Sequence, residues 1–182
     1  MQVTARQLDG TQFNLKMTDK GKVFGLLKVH GNAVLVRRLG GVLYVKAGAP
    51  FWTANVGATK AEQLAFKWVV VRQASTADLQ QIMQLTDLDY AVSDLMSLSV
   101  AEQKGLKLIP GVTIGGRKTV GLVDDSAGDP TQTRRLYLVP AERAMPLAYT
   151  VGTGKEQYMR FRSWGTKFRV VVPTGAVELT GV

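Results

Sequence analysis

The chain has 182 residues, which is enough for one domain with a substantial core. Hydrophobic residues make up 46% of it and charged residues 20%, a composition typical of globular proteins rather than of disordered ones. It contains no cysteine, which excludes disulfides, thiolate metal sites and cysteine nucleophiles. The 23 Lys and Arg against 14 Asp and Glu leave a formal charge of +9. That excess favours an anionic partner, such as nucleic acid, an anionic membrane surface or an acidic cell-wall polymer, or it serves solubility alone.

The N-terminal segment MQVTARQLDG has neither a charged n-region nor an apolar h-region, and the sequence has no run of about 18 apolar residues. The chain as given is therefore expected to be neither secreted by its own leader nor membrane-spanning. A chain from which a leader had been trimmed would look the same.

The first fifty residues predict an antiparallel meander. Turn pairs recur about every ten positions, at Asp9-Gly10, Lys20-Gly21, Gly31-Asn32 and Gly40-Gly41. The third strand is apolar on both faces, since Phe24 and Leu26 oppose Val23 and Leu27. The fourth strand shows the same pattern, with Ala33 and Leu35 opposite Val34 and Val36. A sheet with one solvated face does not show this pattern, so we expect cover on both sides of these strands.

The middle of the chain predicts three short amphipathic helices. The first begins at the capping box formed by Thr59 and Glu62 and is followed by a strand, KWVVV, over residues 67–71. The second begins at residues 75–78 and carries an apolar stripe of Leu79, Ile82 and Met83. The third begins at Thr86, and its apolar side is formed by Leu88, Val92, Leu95 and Met96.

The second half returns to strands. Gly115-Gly116 predicts a hairpin between LKLIPGVTI and RKTVGLVD, and residues 124–131 form a polar loop. Four more strands are expected, and AVEL near the end is a candidate closing strand. The four are RRLYLV, MPLAYTV, QYMRFRSW and FRVVV.

No catalytic or metal-binding motif emerges from the polar residues. His30 is the only histidine, and without a histidine or cysteine partner it is interpreted as a solvated turn residue. Asp124, Asp125 and Asp129 do not have the spacing of a calcium loop and are interpreted as part of a solvated loop. The stretch VGTGKE lacks the first glycine and the Ser or Thr of a phosphate-binding loop.

Basic residues alternate with apolar ones in a late strand. Tyr158, Arg160 and Arg162 share one face, opposite Met159 and Phe161. Such a face could bind phosphate groups and stack on bases, as proteins that bind single-stranded nucleic acid do. The alternative is an outward polar face over an apolar inner one, and this is favoured because no signature of a known RNA-binding module accompanies it.

The order of seven segments resembles the actinobacterial lipoprotein family that includes LppX and LprG, over almost the whole chain. The segments are GGVLYVKAGAPFW, KWVVV, LTDLDYAVSDLM, KTVGLVD, RLYLV, MPLAYTVG and FRSWG. The resemblance implies an α+β fold in which a curved antiparallel β-sheet forms a half-barrel, as in the lipoprotein carrier LolA, with short helices packed on its concave face. Residues 1–182 would then form one such domain, without a leader, without a lipobox cysteine and without the helix that usually precedes the first strand.

The same resemblance implies a non-enzymatic protein that binds a lipid or glycolipid, without a cofactor, outside the cytoplasmic membrane in the cell envelope. The family offers no short binding motif, so candidate pocket residues come from apolar patterning alone. They are Leu15, Met17, Phe24, Leu26, Phe51, Trp52, Ile82, Met83, Val92 and Met96, and Arg160 and Arg162 are candidate contacts for an anionic group.

Two other hypotheses remain. One is a protein-interaction or scaffold module of an envelope or mobile-element assembly, on the same fold with a filled core. The other, weaker one is nucleic-acid binding through the basic strand face. The volume of any cavity separates lipid binding from a scaffold role. The strand that ends at Pro50 is expected to deliver Phe51 and Trp52 to the junction of sheet and helices, either as closed core or as a pocket wall.

Overall fold

The computed structural model describes residues 1–88, 90, 105–141, 144–155 and 157–179. Within these ranges the chain has an α+β fold, a curved, mainly antiparallel sheet with three short helices. The first-half strands are β1 (Gln2–Arg6), β2 (Gln12–Met17), β3 (Val23–Val29), β4 (Asn32–Leu39), β5 (Val42–Ala47) and β6 (Val69–Val71). The helices are α1 (Ala49–Val56), α2 (Ala58–Leu64) and α3 (Ala77–Leu85). The later strands are β7 (Lys107–Ile109), β8 (Thr113–Ile114), β9 (Arg117–Lys118), β10 (Val120–Asp124), β11 (Arg134–Val139), β12 (Met145–Val151), β13 (Gln157–Arg162) and β14 (Val177–Glu178).

Twelve of the strands in the described part of the chain form one sheet, in the order β14-β6-β5-β4-β3-β2-β1-β13-β12-β11-β10-β7. Strands β8 and β9 form a separate hairpin. The predicted meander and the predicted Gly115-Gly116 hairpin are both confirmed. Because β1 pairs with β13, the two meanders are joined side by side in the middle of the sheet.

One face of the sheet, here called the helix face, carries the core. Rows of side chains cross the strands at matching register positions, since successive residues of a strand point to opposite faces. One such row contains Ala5, Phe13, Leu27, Val34 and Ala47. These residues form a single apolar core with buried residues of the helices, chiefly Phe51, Trp52, Ala61, Leu64, Leu79, Ile82 and Leu85. The other side of the sheet is called the opposite face.

Two of the three expected helices are found, and one that was not expected precedes them. Helix α3 is capped by Thr76, whose hydroxyl accepts a hydrogen bond from the Leu79 N–H in the first turn. Helix α1 contains Phe51 and Trp52, and Pro50 in its first turn fits the start of a helix. Strand β5 has already ended at Ala47, three residues before the proline that was expected to end it. The predicted helix that begins at Thr86 lies largely outside the described residues.

The predicted strand FRVVV is not part of the sheet. Residues 163–176, here called the C-terminal strap, leave β13 and cross the opposite face before β14 pairs in parallel with β6. The Phe168 ring meets the Phe24 ring edge to face with centroids 5.3 Å apart, and Arg37 Nη1 donates to the Val171 carbonyl over 3.1 Å. Side-chain packing, rather than a backbone ladder, therefore holds this apolar segment against the sheet.

The cover expected on both sides of β3 and β4 is only partly present. The strap covers Phe24, but the neighbouring Leu26 and Leu35 remain 45% and 42% exposed. The β2 backbone approaches β3 closely at Gly25, where a Cβ would overlap the carbonyl oxygen of Asn14. Gly25 is thus required by a close approach of backbone within the sheet.

Candidate functional site

An open cleft of about 920 Å³ lies between the β8–β9 hairpin, the neighbouring strands β11 to β13 and the first residues of the strap. Its volume falls within the range typical of small-molecule sites. The lining residues are Thr113, Ile114, Gly115, Arg117, Tyr137, Leu147, Ala148, Thr150, Arg160, Phe161, Arg162, Ser163, Trp164 and Thr166. We call this feature the arginine cleft.

Strand register places the cleft on the opposite face. Tyr137, Ala148 and Arg160 are aligned across β11, β12 and β13, so their side chains share that face. A register shift in the β11–β12 pairing follows Tyr137 and leaves Leu147 as an extra residue beside Ala148. Both are buried, and they give the cleft an apolar floor next to its charged residues.

Three arginines give the cleft its charge. Arg117 comes from β9, while Arg160 and Arg162 come from β13, and none of the described lining residues is Asp or Glu. The Arg160 guanidinium lies 5.2 Å from the centre of the Tyr158 ring, which restrains it by a cation–π contact. Guanidinium groups bind phosphate and carboxylate oxygens in paired hydrogen bonds, so the cleft is suited to an anionic group.

Trp164 is held at the edge of the cleft by two contacts. Its Nε1–H donates to the Pro146 carbonyl over 3.1 Å, and its ring stacks on Phe161 with centroids 6.1 Å apart. The indole therefore offers a fixed apolar surface to the cleft, with its polar atom already satisfied.

The hairpin wall is also fixed in place. Thr119 Oγ1 accepts from the Val112 N–H over 3.1 Å and donates to the Val112 carbonyl over 2.6 Å. At Gly111 a Cβ would overlap the Thr119 carbonyl, so the chain can close here only with glycine. These contacts preform the wall that carries Ile114 and Arg117.

The apolar surface of the helix face continues beyond the helices. Leu108, Leu122, Leu136 and Tyr149 form one transverse row over β7, β10, β11 and β12. Leu122, Leu136 and Tyr149 are partly buried, and Leu108 is 74% exposed. We call this row the apolar wall, a second surface on which a hydrocarbon chain could lie.

The described candidate pocket residues do not line one cavity. Five of them are almost completely buried in the core, namely Leu15, Met17, Phe51, Trp52 and Ile82. Met83 is partly buried against that core, whereas Phe24 and Leu26 lie on the opposite face. Val92 and Met96 lie outside the described residues, so their role stays a prediction. Arg160 and Arg162 both line the arginine cleft.

Sequence reasoning missed the partners of those two arginines. Arg117, Tyr137 and Trp164 are distant from β13 in sequence or follow it after a turn, and only strand order and hairpin placement bring them together. The one available signal was the basic pair at residues 117 and 118 directly after the Gly115-Gly116 turn, which marks a charged hairpin arm.

The region around His30 is a structural network. His30 is 64% exposed in the β3–β4 turn, and its Nδ1 lies 3.3 Å from Asp78 Oδ1. Asn55 donates to Asp78 over 3.2 Å and accepts a hydrogen bond from Thr76. These contacts tie α1 and the start of α3 to a turn of the sheet. The expected position of His30 in an exposed turn is confirmed, with a carboxylate neighbour in addition.

The acidic loop differs from its expected form at one residue. Asp124 is buried, whereas Asp125 pairs with Lys107 over 2.8 Å at the surface. The hydroxyl and backbone N–H of Ser126, with Arg134 nearby, hold the pKa of Asp124 below its usual value. Among the described residues, no group of three His, Cys, Asp or Glu side chains could hold a metal ion.

A comparison with models of known protein families finds no match for this chain, and no curated protein matches it at a significant level. In the part of the chain that the structure describes, none of the helices has the length and apolarity needed to cross a bilayer.

Proposed function

We propose that this chain is a non-enzymatic binding protein for an anionic amphiphile, a lipid or glycolipid, in the cell envelope. The observation that carries the proposal is the arginine cleft, which combines three guanidinium groups, an apolar floor and no carboxylate among its described lining residues. A site of this composition is complementary to a molecule with a charged head and an apolar remainder.

The parts of such a ligand have separate places in the cleft. Arg117, Arg160 and Arg162 would contact phosphate or carboxylate oxygens of the head. Ile114 and Trp164 would contact the first carbons of the tail. Binding of this kind needs no bond to form or break and no cofactor.

The resemblance to the lipoprotein family of LppX and LprG supports the same proposal from the sequence. Under this proposal, the curved sheet with helices packed on one face is a half-barrel of the LolA type. An extracytoplasmic, membrane-associated location follows from that family likeness.

A titration with short-chain lipids tests the proposal. Dihexanoyl phosphatidate, which stays monomeric at low concentration, should bind more tightly than dihexanoyl phosphatidylcholine, because only the former carries a net negative charge. Replacing both Arg160 and Arg162 by glutamine should weaken phosphatidate binding by about tenfold or more, since each charged hydrogen bond lost costs about 1.5–3 kcal/mol. Lys67→Gln, which removes an exposed cation away from the cleft, should leave the affinity unchanged.

Native mass spectrometry after gentle extraction from an expressing host supplies an independent readout. A co-purified lipid that is lost from the double arginine variant would support the proposal. Equal affinity for the two short-chain lipids, or no lipid recovered under several extraction conditions, would overturn it.

The second candidate is a protein-interaction or scaffold module. The observation that favours it is the filled core under the helices, where Leu15, Trp52 and Ile82 are almost inaccessible to solvent. A scaffold role predicts that neither short-chain lipid binds and that the purified protein carries no ligand.

A further inference from the structure

The opposite face of the first meander and β13 is strongly basic. The residues at its register positions include seven cations, and none of the described residues at these positions in β1 to β5 and β13 is Asp or Glu. The seven are Arg6, Lys16, Lys28, Arg37, Lys46, Arg160 and Arg162. A continuous sheet surface therefore has one sign of charge, which attracts an extended anionic partner.

Two exposed leucines lie in the middle of these cations. Leu26 on β3 and Leu35 on β4 are direct cross-strand neighbours, and each is more than two-fifths exposed. In the same transverse row Leu35 is followed by Lys46 on β5, and Leu26 is preceded by Asn14 on β2. We call this surface the leucine–lysine face.

The strap leaves the leucine pair uncovered. It covers the adjacent row, where Phe168 packs on Phe24 and Arg37 is bonded to the strap backbone. Between that row and the leucines lies a shallow groove of about 370 Å³, bordered by Lys16 and Arg37 and lined by Phe24, Leu26, Leu35 and Trp68. The apolar centre is thus open and is flanked by basic side chains.

We propose that the leucine–lysine face docks on the surface of an anionic lipid bilayer. Each Lys or Arg close to such a surface contributes about 1 kcal/mol of attraction. The two leucine side chains would enter the boundary between headgroups and acyl chains, where burial of apolar area stabilises the bound state. The electrostatic attraction to anionic lipids and the apolar contact with acyl chains would then both come from the same face of the sheet.

Charge complementarity favours a bilayer over a second copy of this chain, because two such faces would repel each other. The aromatic rings argue against single-stranded nucleic acid, which binds by stacking bases on open rings. Phe24 already packs on Phe168, Trp68 lies under Arg37, and Tyr158 lies under Arg160. The exposed apolar groups at the centre are aliphatic instead.

Docking by this face would also turn the arginine cleft toward the membrane, since Arg160 and Arg162 belong to both surfaces. That step, unlike the docking itself, rests on the proposed function. A bound protein would then meet anionic lipids directly at the site proposed to accept them.

Co-sedimentation with vesicles tests the docking. The protein should bind phosphatidylcholine vesicles that contain about one third phosphatidylglycerol, remain free with pure phosphatidylcholine, and dissociate as added salt screens the charges. Replacing Leu26 and Leu35 together by serine should weaken vesicle binding by about tenfold, because two partly exposed leucines lose their apolar contact. Replacing Lys28 and Lys46 together by glutamine should weaken vesicle binding and also make that binding less dependent on salt concentration.

Two matched controls accompany these variants. Leu8→Ser removes an exposed leucine from the β1–β2 turn, and Lys67→Gln removes an exposed cation outside the face, so neither should change vesicle binding. Melting curves verify that each variant is folded. The leucine variant should still bind soluble dihexanoyl phosphatidate with unchanged affinity, which separates a failure of docking from a failure of the cleft.

Three results would overturn the docking proposal. The first is equal binding to zwitterionic and anionic vesicles. The second is a folded leucine variant that binds vesicles as tightly as the parent protein. The third is tighter binding to a single-stranded oligonucleotide than to anionic vesicles at the same salt concentration.

Discussion

The rings of Phe51 and Trp52 meet edge to face with centroids 5.2 Å apart, at an angle of 77°. Both side chains are buried, and the Nε1–H of Trp52 has no hydrogen-bond acceptor among the described residues. Packing therefore holds the junction of sheet and helices at this point, against the cost of one unsatisfied donor.

Trp52→Ala is expected to lower the free energy of unfolding by about 3–5 kcal/mol, as truncation of a core aromatic does. Trp52→Phe should cost less, because it keeps much of the ring and removes a donor whose burial costs about 1–3 kcal/mol. Urea denaturation of the three proteins measures both values. Loss of ligand binding in a folded Trp52→Phe variant would contradict a purely structural role.

Gly25→Ala should destabilise the sheet by at least about 1–3 kcal/mol, since the new methyl group would overlap the Asn14 carbonyl and force β2 and β3 apart. Gly105→Ala provides the control, because a Cβ at that position meets nothing within 4 Å and the backbone is not left-handed. Thermal melting compares the two variants. Equal melting temperatures would show that β2 and β3 can separate without cost.

Stability should fall in acid, in part because of Asp124. The pKa of this carboxyl is lowered in the folded chain, chiefly by hydrogen bonds from Ser126, from a reference value of 3.8. The stability that this ionised carboxylate contributes is therefore fully present above about pH 3.8 and is lost as the pH falls through the lower pKa of the folded chain. We expect Asp124→Asn to be less stable than the parent at neutral pH and to lose less stability below about pH 4.

Denaturant unfolding at several pH values measures this difference. Asp125→Asn, which changes a surface carboxylate in the same loop, should retain the parent's loss of stability in acid. Parallel curves for the parent and Asp124→Asn would contradict the role assigned to Asp124.

Phe168→Ala should release the strap from the sheet. Loss of the aromatic pair with Phe24 removes about 0.5–1.5 kcal/mol beyond the area it buries. Limited proteolysis with trypsin should then cleave faster after Lys167 and Arg169, because the released strap becomes accessible to the protease. Phe66→Ala removes a mostly exposed ring near α2 and should leave this cleavage rate unchanged. An unaltered cleavage rate in Phe168→Ala would mean that the Arg37 hydrogen bond alone holds the strap.

Local patterns predicted much of this fold. Turn pairs such as Gly40-Gly41 and Gly115-Gly116 act within a few residues, so the meander and the late hairpin could be inferred from sequence. Helix α3 could be inferred from the start signal at residues 75–78 and from its apolar stripe, although the capping residue in the structure is Thr76. The coarse α+β arrangement is confirmed, while the half-barrel and the family likeness stay predictions.

Long-range features could not be inferred in the same way. The segment at residues 168–172 has the composition of a strand, but the sheet offers it no free ladder where it crosses, so it packs through side chains. Because β3 is apolar on both faces, the alternation of its side chains did not show which face would be covered. Leu26 and Leu15 both looked suitable for a pocket, although one lies at the surface and the other in the core. The arginine cleft depends on strand order, which no local pattern encodes.

The pairing of β1 with β13 has a consequence for biosynthesis. The ribosome makes β1 well before its partner strand, because the residues that pair with β1, from Tyr158 to Arg162, come about 150 positions later. Until then the nascent meander has an unpaired edge, and such edges are sites of wrong association between chains. We expect slow translation or a holding chaperone to matter most between the emergence of β6 and that of β13, when the first core can form but its neighbour strand does not yet exist.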